Sequence, residues 1–165
     1  MPEPQNALAL PVSAAPIVDL LRAAVDKGVS VEALEKLVAL HERVSDRQAA
    51  SEFANAMARF QAECPPVPKT STAKITTKAG GAYSYTYAEL DEIARTVGPH
   101  LHPLGLSYTW DSSVDGGKVK AVCGLRHVNG HSISASFEAP LDDRAQMSGP
   151  QQHASSLTYA KRQAL

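Results

Sequence analysis

The chain has 165 residues, 44% of them hydrophobic and 20% charged, with a formal net charge of −1. That length suffices for one domain with a real core plus an extension, and the near-neutral balance excludes a globally basic nucleic-acid binder. Charge is unevenly spread, with nine acids and six bases in residues 1–63 (net −3) against eight acids and ten bases in residues 64–165 (net +2), so any anion-binding surface must be a local patch.

Residues 1–15 contain three prolines and few charges, and read as a disordered lead. A short helix is expected from Pro16 to Lys27, with Pro16 near its first position and Gly28 closing it. Its apolar residues are Ile17, Leu20, Leu21, Ala24 and Val25. Ser30 can cap a second, long helix, because no proline or glycine falls between Ser30 and Glu63. Val31, Leu34, Val38 and Val44, then Ala49, Phe53, Met57 and Phe60, recur along it at helical spacing. A stripe of that length wants a partner helix, either within the domain or in another subunit. Cys64-Pro65-Pro66 ends it. The expected organisation is therefore a 1–15 lead, a 16–63 helical segment and a 64–165 α+β core.

Val67 to Lys78 is threonine-rich and reads as a strand, with a turn at Ala79-Gly80-Gly81. Ala82 to Tyr87 returns, with Tyr83, Tyr85 and Tyr87 at every second position, the alternation of a strand with one aromatic face. Such a face is either half-buried core or a stacking platform. Lys69, Lys74 and Lys78 accompany it, with no acid between Glu63 and Glu89. A helix follows from about Ala88 to Leu101, its acids Glu89, Asp91 and Glu92 in the first turn, where they suit the helix dipole.

Leu106, Tyr108 and Trp110 then alternate with polar residues up to Asp115-Gly116, a two-residue hairpin signal. Taken as that loop, it sets Val114 opposite Gly117, Trp110 opposite Ala121 and Tyr108 opposite Cys123. At the next turn a two-residue Asn129-Gly130 loop would put Ile133 and Phe137 on the face of Lys120 and Arg126. A three-residue loop, Val128-Asn129-Gly130 with Gly130 in the left-handed region, pairs Leu125 with Ile133, Cys123 with Ala135 and Ala121 with Phe137. The product is a three-stranded antiparallel meander. Its apolar face should pack on the 88–101 helix, and its other face carries Lys118, Lys120, Arg126, Ser132, Ser134 and Ser136. The meander gives the core apolar residues of its own, so the tyrosine hairpin reads as an exposed arm with Tyr87 its most buried ring. A last helix begins near Pro150 with Gln151, Ser155, Thr158 and Arg162 along one face, and the chain reads as cut within it at Leu165. The fold class is α+β: an antiparallel hairpin and meander packed by helices, with a long N-terminal helical extension.

Little here argues for bond chemistry. There is no Walker A sequence and no GxGxxG after a strand, so no nucleotide cofactor is implied. His127 and His131 face each other across the second turn, but Cys123 lies about 13 Å along the strand and cannot complete a metal site. Asp142-Asp143 reads as a solvated pair rather than a magnesium site. Cys64 and Cys123 stand apart without a motif, which suits a reducing compartment. No apolar run is long enough to span a membrane and MPEPQN is no signal peptide, so a cytoplasmic protein that binds without catalysis is expected.

Four blocks resemble the ERF (essential recombination function) family of phage-type single-strand annealing proteins. The first runs from Phe53, Met57 and Phe60-Gln61-Ala62-Glu63 through the prolines to Lys69. The second is Tyr83-Ser84-Tyr85-Thr86-Tyr87-Ala88-Glu89-Leu90. The third is Val97 to Leu106 with the strand pair ending at His127 and Gly130-His131, and the fourth is Gln152 to Arg162 with its Thr158-Tyr159 and Arg162. The likeness covers roughly Val31 to Leu165. Two positions depart from the family pattern: Ser155-Ser156 stands where glycine-serine is usual, and Gln163 where tyrosine often follows the arginine.

The resemblance implies an annealing-protein core that binds single-stranded DNA and pairs complementary strands without ATP, as a homo-oligomeric ring or filament. Read with the residues, it makes Lys69, Lys74, Lys78, Lys118, Lys120, Arg126, Lys161 and Arg162 candidates for phosphate contacts. Tyr83 and Tyr85 become stacking candidates, with Gln152, Thr158 and Tyr159 on the last helix, whose Thr158–Arg162 face is the expected partner of the hairpin. The alternatives are a monomeric RNA- or duplex-binding module and a helical scaffold protein.

Overall fold

The computed structural model describes residues 15–76, 80–142 and 147–165. Residues 1–14 of the expected 1–15 lead, Lys78 and Asp143 lie outside the described residues, and Ala15 begins the first helix. In order, the elements are α1 (Ala15–Asp26), α2 (Val31–Glu63), β1 (Ser71–Thr76), β2 (Ala82–Tyr87), α3 (Leu90–Leu101), a 3-10 turn (His102–Leu104), β3 (Leu106–Asp115), β4 (Lys118–His127), β5 (Ser132–Pro140) and α4 (Gly149–Ala164). The strands form a two-stranded hairpin, β1-β2, and a three-stranded antiparallel sheet, β3-β4-β5. The α+β class and the element order match the expectation.

The first turn of the meander differs from the expected register by two residues. Asp115 pairs with Lys118, Val114 with Val119, Trp110 with Cys123 and Tyr108 with Leu125. The loop is Gly116-Gly117, and both have positive φ, 53° and 76°. A two-residue turn of that kind needs φ > 0 at both central residues, which two glycines meet without the Cβ penalty that Asp115 would incur. A shift of two preserves the faces, so the division into apolar and polar sides survives. The second turn forms as expected. Leu125 pairs with Ile133, Cys123 with Ala135 and Ala121 with Phe137. Gly130 has φ 97°.

What covers the apolar face also differs. The element lying across β4 and β5 is α4, not α3. Ala121 and Ala160 are fully buried and pack with Ala139, flanked by Phe137 and Leu157. Small side chains on both partners let the helix backbone approach the sheet closely, which the bulkier α3 could not do. Instead α3 and α2 close one end. There Val97, Leu101 and Leu104 meet Phe53, Ala56 and Leu106, with Met57, Phe60, Ile93, Tyr108 and Leu125 packed around them. The packed unit thus takes in the C-terminal part of α2, N-terminal of residue 64.

Ser30 caps α2 as expected, its hydroxyl accepting from the Ala33 amide at 3.4 Å. Only Phe53 and Ala56 of this 33-residue helix are buried. Val31, Leu37, Leu40 and Val44 are exposed along its first half. No helix among the described residues is long and apolar enough to cross a membrane.

Candidate nucleic-acid interface

The hairpin presents its tyrosines on one face. Tyr83 pairs with Ile75, Tyr85 with Ala73 and Tyr87 with Ser71, and cross-strand partners share a face of the ribbon. The rings of Tyr85 and Tyr87 are 6.0 Å apart. Tyr83 and Tyr85 are exposed, and Tyr87 is partly buried, in line with its place next to α3.

The facing wall is α4, whose start is fixed by a capping box. The Ser148 amide donates to Gln151 Oε1 at 2.9 Å while the Ser148 side chain accepts from the Gln151 amide. Ser156, Ala160 and Ala164 turn toward the protein interior. The connection before the helix is tied to it, because the Asp142 amide donates to Ser156 Oγ at 2.8 Å and the Ser155 hydroxyl donates to Asp142 Oδ2 at 3.0 Å. Ser155 and Ser156 thus anchor this connection.

Between the walls lies an open groove of about 1130 Å³, lined by Ala73, Lys74, Ile75, Tyr85 and Tyr87 from the hairpin and by Gln151, Ala154, Ser155, Thr158, Tyr159 and Arg162 from α4. Glu89 and Met147 complete it. The Gln151-Ser155-Thr158-Arg162 spacing marked this face in the sequence, and the structure sets it against the tyrosines.

Arg162 spans the groove. Its guanidinium carbon is 4.3 Å from the Tyr87 ring centroid and 5.4 Å from that of Tyr159. Tyr159 in turn meets Phe137 edge-on at 5.8 Å. The Tyr87 hydroxyl donates to the Glu89 carboxylate, and this bond, with partial burial and the Glu89 charge, holds its pKa above the ordinary tyrosine value against the opposing pull of Arg162. A guanidinium has more N–H donors than one tyrosine hydroxyl can use, so Arg162, close to both rings, still has donors for an anionic acceptor such as a phosphate. Beyond the groove, Lys161 Nζ lies 5.9 Å from the Trp110 ring centroid.

Of the residues singled out in the sequence, Lys74, Tyr85, Thr158, Tyr159 and Arg162 come together here. Lys161 adjoins them, and Tyr83 lies farther out on the hairpin. Lys69 is exposed ahead of β1 and outside the lining. Gln152 is not in the lining, and its amide nitrogen donates to the carbonyl of Met147, which is, at 3.4 Å. Lys118, Lys120 and Arg126 sit on the meander face opposite α4, where Lys120 approaches Glu138 at 3.8 Å. Sequence reasoning counted Glu89 only as a dipole acid and left Trp110 in the core. No local signal marks Glu89 as a groove residue or Trp110 as a neighbour of Lys161, because both placements depend on where α4 lies.

Among the described residues no group of three or more His, Cys, Asp or Glu could hold a metal ion. The His127 amide donates to the His131 carbonyl at 2.9 Å, and the His131 ring packs on Phe53 at 4.9 Å.

The family model described as ERF superfamily matches residues 53–165. No curated protein matches the chain. The match begins at Phe53, the first residue of α2 buried in the core.

Proposed function

The chain belongs to the ERF superfamily of phage-type recombination and annealing proteins, and from that premise we propose that it binds single-stranded DNA in the hairpin–α4 groove and anneals complementary strands without ATP. The observation that carries this reading is the Tyr87–Arg162–Tyr159 stack, which joins the two walls at a cation flanked by rings. Annealing requires phosphates to be neutralised while bases stay available to pair. Lys74 and Arg162 supply the cations, and Tyr85 and Tyr159 supply surfaces that accept any base. The family's annealing proteins are generally non-catalytic, which agrees with a groove built for adhesion.

The protomer's net charge of −1 makes a single groove a weak binder, and repetition around a homo-oligomer supplies avidity. The exposed apolar residues on the first half of α2 support that assembly, because between 37% and 71% of their surface stays open within the described protomer. Lys118, Lys120 and Arg126 would meet DNA on a second face.

The test is annealing of complementary oligonucleotides without ATP, comparing wild type with Lys74→Ala and Arg162→Ala. Wild type is expected to accelerate pairing and both variants to lose most of that acceleration. Preferential binding of duplex or RNA over single-stranded DNA in a gel shift would replace this reading with a duplex- or RNA-binding module.

A further inference from the structure

We propose that the single strand does not stop at the hairpin–α4 groove but continues over the β3 edge of the sheet, with Trp110 as a stacking station at the bend. The inference rests on the single-strand reading above. Three hollows adjoin through shared residues. Glu89 and Thr158 line both the main groove and a second depression of about 380 Å³. Trp110 lines that depression and also a hollow of about 470 Å³ that holds Arg126 and Ser134. β3 is an edge strand, so no neighbouring strand blocks the crossing.

The path explains why the cations singled out in the sequence fall on two faces. Lys74 and Arg162 stand at one end and Arg126 at the other. The middle is aromatic, with Tyr108 edge-on to Trp110 at 6.3 Å, and the Trp110 ring is partly exposed. The acids on this stretch have partners. Asp91 pairs with Arg95 at 3.1 Å, Asp111 accepts from the Ser112 amide at 2.8 Å, and Glu89 accepts from Tyr87. Those partners offset part of the acidic charge, so the bend does not repel the strand and the ring is left to a base. Lys161, at 5.9 Å from the indole, covers the ring until a base replaces it and then serves the adjoining phosphate.

Trp110 is the single tryptophan of the chain, so its emission reports this station alone. The experiment follows Trp110 emission and the anisotropy of a labelled oligodeoxythymidine of roughly 16 nucleotides in one titration. Emission should be quenched in step with the anisotropy rise. Trp110→Ala should weaken affinity about tenfold and Trp110→Phe by less than about threefold, since a ring of any size still stacks. A rise in anisotropy with unchanged emission, or a Trp110→Ala variant that binds as wild type, overturns the path and leaves the groove intact. No anisotropy rise with the wild-type chain overturns the groove reading itself and the path with it.

Discussion

Arg162, near the end of the last helix, lies with its guanidinium 4.3 Å from the ring of Tyr87, at the end of the hairpin, although 74 residues separate them in the chain. That stack is a direct side-chain link between the two walls of the groove. It holds a cation without neutralising it, because a ring supplies dispersion and quadrupole attraction but no counter-charge. Lysine at the same place would carry the charge without the planar stack or the forked donors. Arg162→Ala should therefore weaken single-strand binding on the order of tenfold, about 1.4 kcal/mol. Arg162→Lys should recover only part of it. A fluorescence titration across salt concentrations checks the assignment: each lost phosphate contact should reduce the log–log salt slope by about 0.7. An unchanged slope in Arg162→Ala would mean that the residue only braces the hairpin.

The Glu89 carboxylate, through its bond from the Tyr87 hydroxyl, raises the pKa of that tyrosine. The folded state then keeps a proton that the unfolded chain releases at the ordinary tyrosine value. The contribution is complete below about pH 10 and disappears as pH rises through the folded-state pKa. Wild type should lose stability above pH 10 more steeply than Tyr87→Phe, which keeps the ring over Arg162 but has no proton to lose. Urea midpoints at neutral and alkaline pH measure the difference, and parallel curves would show that the bond to Glu89 does not form in solution.

The contact of α4 with the sheet depends on small residues. Ala160 and Ala121 are both 0% exposed and share a cluster with Ala139. Ala160→Leu inserts volume where helix and sheet are closest, and should cost about 1–3 kcal/mol. It should also lift the α4 wall and weaken DNA binding without touching a groove residue. If urea unfolding of Ala160→Leu matches wild type, the helix does not seat on β4 and β5 as described.

Much of this arrangement was legible in the chain. The alternation of Tyr83, Tyr85 and Tyr87 located β2 to the residue, and the conflict between Ile133 and Lys120 selected the three-residue loop at Gly130. Proline at 65 and 66 ended α2 at Glu63. The two errors have one physical origin each. Asp115-Gly116 and Gly116-Gly117 are both good turn dipeptides, and a two-residue slip leaves every side chain on its own face, so burial patterning cannot separate them. Only the φ requirement at both central positions does. The choice between α3 and α4 as the sheet's cover turns on side-chain size, since Ala121, Ala139 and Ala160 carry almost no hydropathy signal yet allow the closest approach. Both walls of the groove were named from the sequence, the hairpin by its tyrosine alternation and the α4 face by the Gln151-Ser155-Thr158-Arg162 spacing. The placement of Glu89 in the groove lining and of Trp110 beside Lys161 was invisible, because tertiary packing alone sets it.

The first half of α2 tests assembly separately from DNA binding. Leu37, Leu40 and Val44 recur at three- and four-residue spacing, and all are exposed, Leu40 at 53% and Val44 at 54%. Residues about half exposed and outside the buried core contribute little to the protomer's stability, so replacing Leu40 and Val44 together by glutamine should lower its unfolding free energy by no more than about 0.5 kcal/mol. The same change removes apolar area from any surface a neighbouring subunit would cover. Light scattering should then show a smaller assembly, and annealing should slow more than single-strand affinity per protomer falls, because avidity is lost while each groove stays intact. An unchanged assembly size would move the subunit interface to another face of the molecule. A large loss of stability would mean that these side chains are covered within the protomer, by the chain's own helices rather than by a second copy.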